Sequence, residues 1–499
     1  MAKNKIIANF TGVSTFILLS KLLGFLRDVL IAASIGTSVL ADAYLQIFGI
    51  PALLFASVGM ALSSVNIPNM TLYIKSKSEE ERVGYVSNLF AQLTFLAAAI
   101  SVIGIVLAPW VTRLILPGLD SEIGHVSTTL TRIMFPTLIF ICLAYTTAGI
   151  LQVHKHFIAS TVISIPFNIL IITSLLIWRG NIIVLGIVTT VGWFLQFLIQ
   201  LPALLKDGYR FDFKIDLKNE HTAAIYKKLV PILLGNAVLQ LCLLTDRAFA
   251  THLKEGSASS LAFGSTLFMT ITSVFIVAMS TVTFPDLSRY CLDKNYEGIR
   301  HLLSYIFKVL FLILVPYLIM VTVYHKDIIR LVYQRGSFTA ESTGMTSTAF
   351  LVYSFCIAGY LCQEIFNRLF YALKKFYVPM FLSIACVLLN LVLVLLVYRS
   401  MGIAGIAGST AVSFLIYAVV MSITVVREVG AFFGKDFGSF LIRLLPSVAG
   451  MTFVFLAFRL INPEGVIMSF LVPAAAGGII YLGTAYVTGV LKETVLRRA

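Results

Sequence analysis

Residues 9–34 read NFTGVSTFILLSKLLGFLRDVLIAAS, an apolar run that carries Lys21, Arg27 and Asp28. A helix needs about 20 apolar residues to cross the ~30 Å hydrocarbon core of a bilayer. A charge placed at that depth costs about 2.5–3.5 kcal/mol on insertion scales, so it normally faces a polar cavity or a partner. The run therefore predicts a membrane helix whose charged residues point into a polar interior.

Comparable apolar runs follow along the whole chain. The 499 residues are 59% hydrophobic and only 12% charged, against roughly 25% charged in a soluble protein. The pattern predicts an all-α polytopic membrane protein of about 14 transmembrane helices. The predicted spans are 9–34, 41–72, 85–113, 127–152, 158–178, 182–205, 229–253, 258–288, 303–324, 344–372, 378–398, 403–426, 440–460 and 466–488.

Lysine and arginine predict the orientation in the membrane. The segments that lie on the same side as the N-terminus carry about three times as many of these residues as the opposite segments. Both termini are therefore expected in the cytoplasm, with the first span retained rather than cleaved. The same loops, facing anionic lipid headgroups, explain the net charge of +14 without a nucleic-acid partner.

An internal repeat divides the chain into two lobes. Residues of the first half recur with the same type about 220 positions later, as in the pairs Arg27 and Arg247, Gly36 and Gly256, and Asn168 and Asn390. An even number of spans separates the two members of each pair, so the two lobes cross the membrane in the same direction. They should therefore be related by an axis along the membrane normal. We predict a six-helix lobe at 1–206, a cytoplasmic linker at 207–228, a second six-helix lobe at 229–427, and two additional helices in 428–499.

The charged residues inside the predicted spans are the candidate functional residues. The candidates for substrate binding are Lys21, Arg27, Asp28, Asp42 and Arg247. Asp42 follows the first span closely enough to pair with one of its cations, so a structural ion pair is the alternative reading. Asp246 could form an internal pair, contact the substrate or act as a cation-linked switch. The amide of Asn390, within a predicted span, is consistent with an interhelical hydrogen bond. Gly24, Gly36 and Gly256 are candidate hinges.

Catalytic and metal-binding motifs are absent from the sequence. It has no phosphate-binding Gly-Lys loop, no nucleophile elbow and no carboxylate or histidine cluster at metal-ligand spacing. The six cysteines are scattered without C-x-x-C spacing. We expect neither an enzyme nor a bound cofactor, so transport would draw on a sodium gradient, the membrane potential or the gradient of the substrate itself.

Several segments resemble the MurJ (MviN) family of the multidrug/oligosaccharidyl-lipid/polysaccharide exporter superfamily. The strongest likeness is in residues 21–28, KLLGFLRD, followed by 41–44, ADAY. Similar motifs occur at 245–250, 284–289, 331–339 and 367–373, so that the resemblance covers nearly the whole length.

The resemblance implies a flippase that moves lipid II, the undecaprenyl-diphosphate-linked peptidoglycan precursor, to the outer leaflet by alternating access. It implies a cationic cavity, in which Lys21 replaces a family arginine and Arg27, Asp28 and Asp42 match. A family sodium site would fall on Asp246 and Asn390, with Val394 in place of its second carboxylate. Cell-wall synthesis proteins and membrane lipids are the expected partners.

Two alternatives within transport remain open at this point. One is a flippase for another lipid-linked oligosaccharide, of the exopolysaccharide or teichoic type. The other is a cation-coupled exporter of small amphipathic molecules, which would need fewer cavity cations and an essential carboxylate.

Overall fold

A computed structural model of the chain describes residues 2–51, 78–117, 121–154, 156, 162–178, 180–209, 215–216, 231–461, 465 and 467–496. The side chains are described except at 2–15, 17, 121, 274–285 and 495–496. These residues are helical almost throughout and contain no strand. This confirms the predicted all-α class. Eight of the described helices are long and apolar enough to cross a membrane, and the total of 14 spans stays a prediction.

Two compact units emerge from the contacts within the chain. The first comprises residues 1–262 together with Arg335–Thr339, and the second comprises Phe263–Gln334 and Ala340–Ala499. The lobe boundaries predicted from the repeat are not tested by this division and stay predictions.

The first unit is a bundle of short and long helices. Its helices are α1 (Ala2–Ile35), α2 (Val39–Pro51), α3 (Glu79–Val106), α4 (Ala108–Ile115), α5 (Ser121–Met134), α6 (Thr137–Val153), α7 (Ser164–Trp178), α8 (Ile182–Leu198), α9 (Leu201–Lys206) and α10 (Val238–Ala250), with a short helical segment at 231–236. Helix α1 packs along α7, α7 packs on α8, and α6 lies between α8 and α3. A buried hydrogen bond of 3.0 Å joins the Tyr44 hydroxyl of α2 to Thr189 of α8.

The second unit contains the longest helices. Helix α11 (Ser257–Leu292) begins in the first unit and continues into the second, which also holds α12 (Tyr296–Tyr333), α13 (Ala340–Ala372), α14 (Tyr377–Val429), α15 (Lys435–Ile461) and α16 (Val472–Val487). Gly402 interrupts α14 with a φ of 55° and a ψ of −137°, between the two spans that the sequence predicts there. One π-helical turn precedes α16, at Ile467–Leu471, and another lies at Lys492–Leu496.

The predicted linker is attached to the first unit at the residues that the structure describes. The Asn88 side chain of α3 accepts from the backbone N–H of Asp216 at 2.8 Å and donates to its carbonyl at 3.1 Å. Gln92, one turn further along α3, donates to the same carbonyl at 2.7 Å. Nearer the end of α9, the Tyr209 hydroxyl lies 2.6 Å from Nε2 of His154. Burial lowers the pKa of His154 and raises that of Tyr209 to about 12.

Close approach of α13 and α14 depends on a single glycine. A Cβ at Gly359 would lie only 2.5 Å from the carbonyl oxygen of Phe414. This oxygen belongs to the backbone, so it does not move aside easily. Small residues at such contacts let membrane helices pack with their backbones close together.

We expect Gly359→Ala to destabilise the second unit, because a methyl group there forces α13 away from α14. Overpacking of this kind typically costs about 1–3 kcal/mol. The measurement is thermal unfolding of the purified protein in detergent. Gly344→Ala, on the same helix but with open space around it, is the matched control and should leave the melting temperature unchanged or raise it. Equal melting temperatures for both variants would contradict the prediction.

Candidate functional site

Arg27 is held in place on α1 by three neighbouring groups. Its Nε and Nη2 atoms donate to Oδ1 of Asp28 at 2.9 and 2.7 Å. Its Nη1 atom donates to Oδ1 of Asn168 on α7 at 3.1 Å. The guanidinium carbon lies 5.4 Å from the ring centre of Phe167, a cation–π distance. Only 19% of the Arg27 side chain is exposed, so the cation is enclosed but still accessible.

Asn168 connects the two helices that carry this group. It is 2% exposed, and its Nδ2 atom donates to the carbonyl of Ser20 at 3.4 Å while its oxygen accepts from Arg27. Gly24 lies on the facing side of α1, where a Cβ would be 3.8 Å from the Asn168 amide, an ordinary contact. The interhelical hydrogen bond expected of a buried amide is therefore present, and it orients Arg27.

Lys21 and Arg27 differ in their surroundings. Lys21 lies on an exposed part of α1, and its side chain or backbone has an interaction partner within the protein. The side chains of Arg27 and Asp28, by contrast, are about four-fifths buried. The structure thus brings Arg27, Asp28 and Asn168 together and leaves Lys21 nearer the surface of the unit. Their roles in binding a substrate stay predictions.

Asp42 caps the start of α11. Its Oδ1 atom accepts from the backbone N–H of Ser259 at 2.5 Å, and its Oδ2 atom accepts from the N–H of Gly256 at 3.2 Å. A carboxylate at a helix N-terminus satisfies donors that have no partner within the helix and interacts favourably with the helix dipole. The ion pair with a cation of α1, which the sequence left open as the alternative for Asp42, is not what the structure shows, since the carboxylate binds backbone donors. Its role in substrate binding stays a prediction.

Two predicted hinge glycines lie where backbones meet closely. Gly36 and Gly256 have φ values of +58° and +80°, a conformation that favours glycine. A Cβ at Gly36 would overlap the carbonyl of Ser337, and a Cβ at Gly256 would overlap the carbonyl of Thr37. The N–H of Ser337 donates to the carbonyl of Ala33 at 2.8 Å. We call these contacts, together with the Asp42 cap, the glycine junction.

Helix α10 carries the candidate pair Asp246 and Arg247. Asp246 is fully buried and Arg247 is half-buried. The arginine approaches Gly49 of α2, where a Cβ would make an ordinary contact 3.5 Å from Nη1 of Arg247. Gln46, which sequence reasoning missed, ties α2 to α10 by donating to the carbonyl of Leu244 at 3.1 Å. The sequence signal that could have identified Gln46 is a glutamine within an apolar run.

Asn390 lies in the second unit and Asp246 in the first. The Nδ2 atom of Asn390 donates to the Thr410 hydroxyl at 2.9 Å, and both residues are fully buried on the two halves of α14. The interhelical hydrogen bond predicted as the alternative for Asn390 is therefore present. No group of three or more His, Cys, Asp or Glu side chains suited to a metal ion occurs among the described residues. A joint role of Asp246 and Asn390 in cation coupling stays a prediction.

A family model described as "Lipid II flippase MurJ" matches residues 31–475. The chain belongs to the MurJ family. The family model spans most of both structural units, including Asp42, the glycine junction and α10, while Arg27 and Asp28 lie just before its first matched residue.

Individual relatives agree with this assignment. The chain is 29% identical over 434 residues to a probable lipid II flippase MurJ of Treponema pallidum, covering 84% of this chain and 81% of the relative. It is 27% identical over 389 residues to the lipid II flippase MurJ of Burkholderia cenocepacia, covering 76% and 75%.

Solved structures show the same fold. A structure titled "Lipid II flippase MurJ, inward closed conformation" superposes with a TM-score of 0.79 at 23% identity, over 96% of this chain and 98% of that one. An inward-facing multidrug resistance MATE transporter of the MOP superfamily superposes with a TM-score of 0.67 at 14% identity, over 85% and 98%. The MurJ fold of the chain, a multi-pass helical membrane protein, is thereby established.

We expect Asp42→Ala to destabilise the first unit, because it leaves the N–H groups of Gly256 and Ser259 buried without an acceptor. The loss of a buried partner costs about 1–3 kcal/mol. The measurement is thermal unfolding in detergent. Glu255→Ala is the control, since Glu255 is exposed and accepts a single longer bond of 3.3 Å from Val39. A cost for Asp42→Ala no greater than that of the control would contradict its capping role.

Proposed function

We propose that the protein is a lipid II flippase, which moves the diphosphate-linked peptidoglycan precursor from the inner to the outer leaflet of the bacterial cytoplasmic membrane. Membership of the MurJ family supports this function, as do the two relatives that bear it in their names. The observation that carries the proposal is the enclosed and accessible guanidinium of Arg27.

Arg27 has donors to offer an anionic headgroup. A guanidinium carries five N–H donors, and the hydrogen bonds to Asp28 and Asn168 use three of them. Two therefore remain for phosphate oxygens, which arginine binds by charge-assisted and frequently bidentate hydrogen bonds. Asp28 offsets the charge of Arg27 when no substrate is bound. Fixing the side chain in advance reduces the conformational entropy lost on binding.

The glycine junction supports an alternating-access cycle. By the lysine and arginine bias, the ends of α1 and α10 and the segment 335–339 lie on the outer side of the membrane. Their backbones meet closely, and the Asp42 cap adds two hydrogen bonds. We infer that these contacts close the outer side and that they break when the headgroup is released outward.

Transport would proceed without chemistry on the substrate. The protein is proposed to be a transporter rather than an enzyme, with no cofactor and with both termini in the cytoplasm. Energy would come from the membrane potential or from a sodium gradient, the latter through Asp246 and Asn390. The two energy sources are separated by collapsing the membrane potential or the sodium gradient, one at a time, in vesicles containing the protein. The gradient that drives transport is the one whose collapse stops flipping.

The test of function is flipping of lipid II by the purified protein in liposomes. Lipid II should become accessible at the opposite leaflet faster than in protein-free liposomes. In cells, depletion of the protein should cause lipid II to accumulate at the inner leaflet, followed by lysis. Intact walls with loss of a surface polysaccharide would instead identify another lipid-linked oligosaccharide as the substrate, and export of small amphipathic molecules alone would identify a drug exporter.

We expect Arg27→Ala and Asp28→Ala to abolish growth complementation while the protein still inserts in the membrane. Arg27→Lys should also lose at least about tenfold in flipping rate, because an ammonium cannot reproduce the planar bonds to Asp28, Asn168 and phosphate. The measurement is the flipping rate, with membrane levels followed by immunoblot.

The matched control is Arg132→Ala, which removes an exposed arginine of α5 in the same unit and should leave flipping unchanged. Full activity of Arg27→Ala and Asp28→Ala would overturn the roles assigned to them.

A further inference from the structure

Helix α12 contains two backbone irregularities. Pro316 lies inside the helix, and Tyr324 has a non-helical φ of −119° and ψ of 15°. Proline has no N–H, so the carbonyl four residues earlier, that of Leu312, loses its helical donor. In a membrane segment, a carbonyl freed in this way must find a donor on a neighbouring helix, because lipid offers none.

The freed carbonyl of Leu312 is satisfied from α16. The Tyr481 hydroxyl donates to it at 2.7 Å. Tyr481 is 3% exposed and Leu312 is 6% exposed, so water does not compete for this bond. The tyrosine of the last long helix thus replaces the donor that Pro316 removes from α12.

The second irregularity is bound by α15. Nη2 of Arg459 donates to the carbonyl of Val323 at 3.1 Å and to Oδ2 of Asp327 at 2.8 Å. The Tyr324 hydroxyl donates in turn to the carbonyl of Phe455 at 3.2 Å. The guanidinium of Arg459 also lies 5.2 Å from the ring centre of Tyr324. Helix α15 therefore contacts the kink in α12 both at its backbone, through the Val323 carbonyl, and at its side chain, through Tyr324.

A third attachment lies nearer the N-terminus of α12, at Lys308. Glu493, in the π-helical turn after α16, accepts from Lys308 of α12 and from Arg443 of α15, both at 2.5 Å. Although burial works in the opposite direction, these two hydrogen bonds lower the pKa of Glu493, which keeps it ionised. One carboxylate thus joins α12, α15 and the turn that follows α16.

We propose that α12, α15 and α16 form one rigid body, which stays assembled throughout the transport cycle. This body is defined by the three attachments at Lys308, Leu312 and Val323 along α12. The last two helices, which the sequence repeat leaves outside both lobes, complete the backbone hydrogen bonding of α12. Since the inference concerns motion during lipid II flipping, it rests on the proposed function.

The Tyr481 bond is tested by a double-mutant cycle with Pro316. Tyr481→Phe should lower the melting temperature in detergent by about 2–4 °C, because the Leu312 carbonyl loses its donor. Pro316→Ala restores an N–H to that carbonyl, so Tyr481→Phe should cost less in the Pro316→Ala background. Tyr486→Phe, an exposed tyrosine on the same helix, is the control. An equal cost in both backgrounds would show that Tyr481 does not replace the donor missing at Pro316.

Rigidity during transport is tested by cross-linking in a background without the six native cysteines. Lys308→Cys and Glu493→Cys, joined by a short bismaleimide, should flip lipid II at the same rate as the unlinked protein. Ser34→Cys and Ser337→Cys, joined across the glycine junction, should be arrested by the same reagent. Arrest of the first pair would overturn the rigid-body proposal, and continued flipping by the second would overturn the proposed opening of the junction.

Failure of the proposed function would be visible separately. If the unlinked proteins do not flip lipid II at all, the function is wrong, and the melting-temperature cycle still decides whether α16 completes the backbone of α12. If only the unlinked Lys308→Cys and Glu493→Cys variant is inactive, the linked protein decides: flipping restored by the bismaleimide supports the proposal, and flipping that stays absent overturns it.

Discussion

The requirement that every polar group in a membrane be satisfied within the protein explains most features of this chain. A soluble protein can leave a bent helix or an unpaired arginine to water, but a span in hydrocarbon cannot. Arg27 accordingly lies between Asp28, Asn168 and Phe167. The same requirement places Gln46 on the carbonyl of Leu244 and Tyr481 on that of Leu312. Polar side chains in the apolar helices therefore act in pairs or small groups.

At the site, the Arg27 guanidinium is held in a fixed position, and the Asp28 carboxylate neutralises its charge. Arg27 and Asp28 together are neutral, which keeps the insertion cost of α1 low. An incoming diphosphate would shift that balance, because it offers the guanidinium a second set of acceptors. Asn168 keeps the side chain oriented in either case, since an amide bond to arginine does not depend on the charge of the substrate. Arginine is suited to this role by its planar, permanently charged group.

Sequence reasoning reached the class and the family, and it named Arg27 and Asp28 as candidate residues. Apolar runs of about 20 residues identify the membrane helices because their length matches the bilayer. Charges within such runs identify Arg27 and Asp28 for an energetic reason. The partners of those charges were harder to predict, because they depend on which helices are neighbours. Asp42 shows the limit: its carboxylate binds the N–H groups of Gly256 and Ser259, more than 200 residues away in the chain. Glu493 was missed because a lone acid near a terminus resembles an ordinary loop charge.

The docking of α16 on Pro316 has a consequence for how the chain is made. Helix α12 enters the membrane long before Tyr481 is synthesised, so the Leu312 carbonyl spends that interval without its eventual donor. Until translation ends, α12 is an incomplete span that relies on temporary partners, such as water in the insertion channel or the flank of a neighbouring segment. A ribosome stalled after α15 would leave a protein that contains the Arg27 site in full, yet has a weak point in the middle of its second unit.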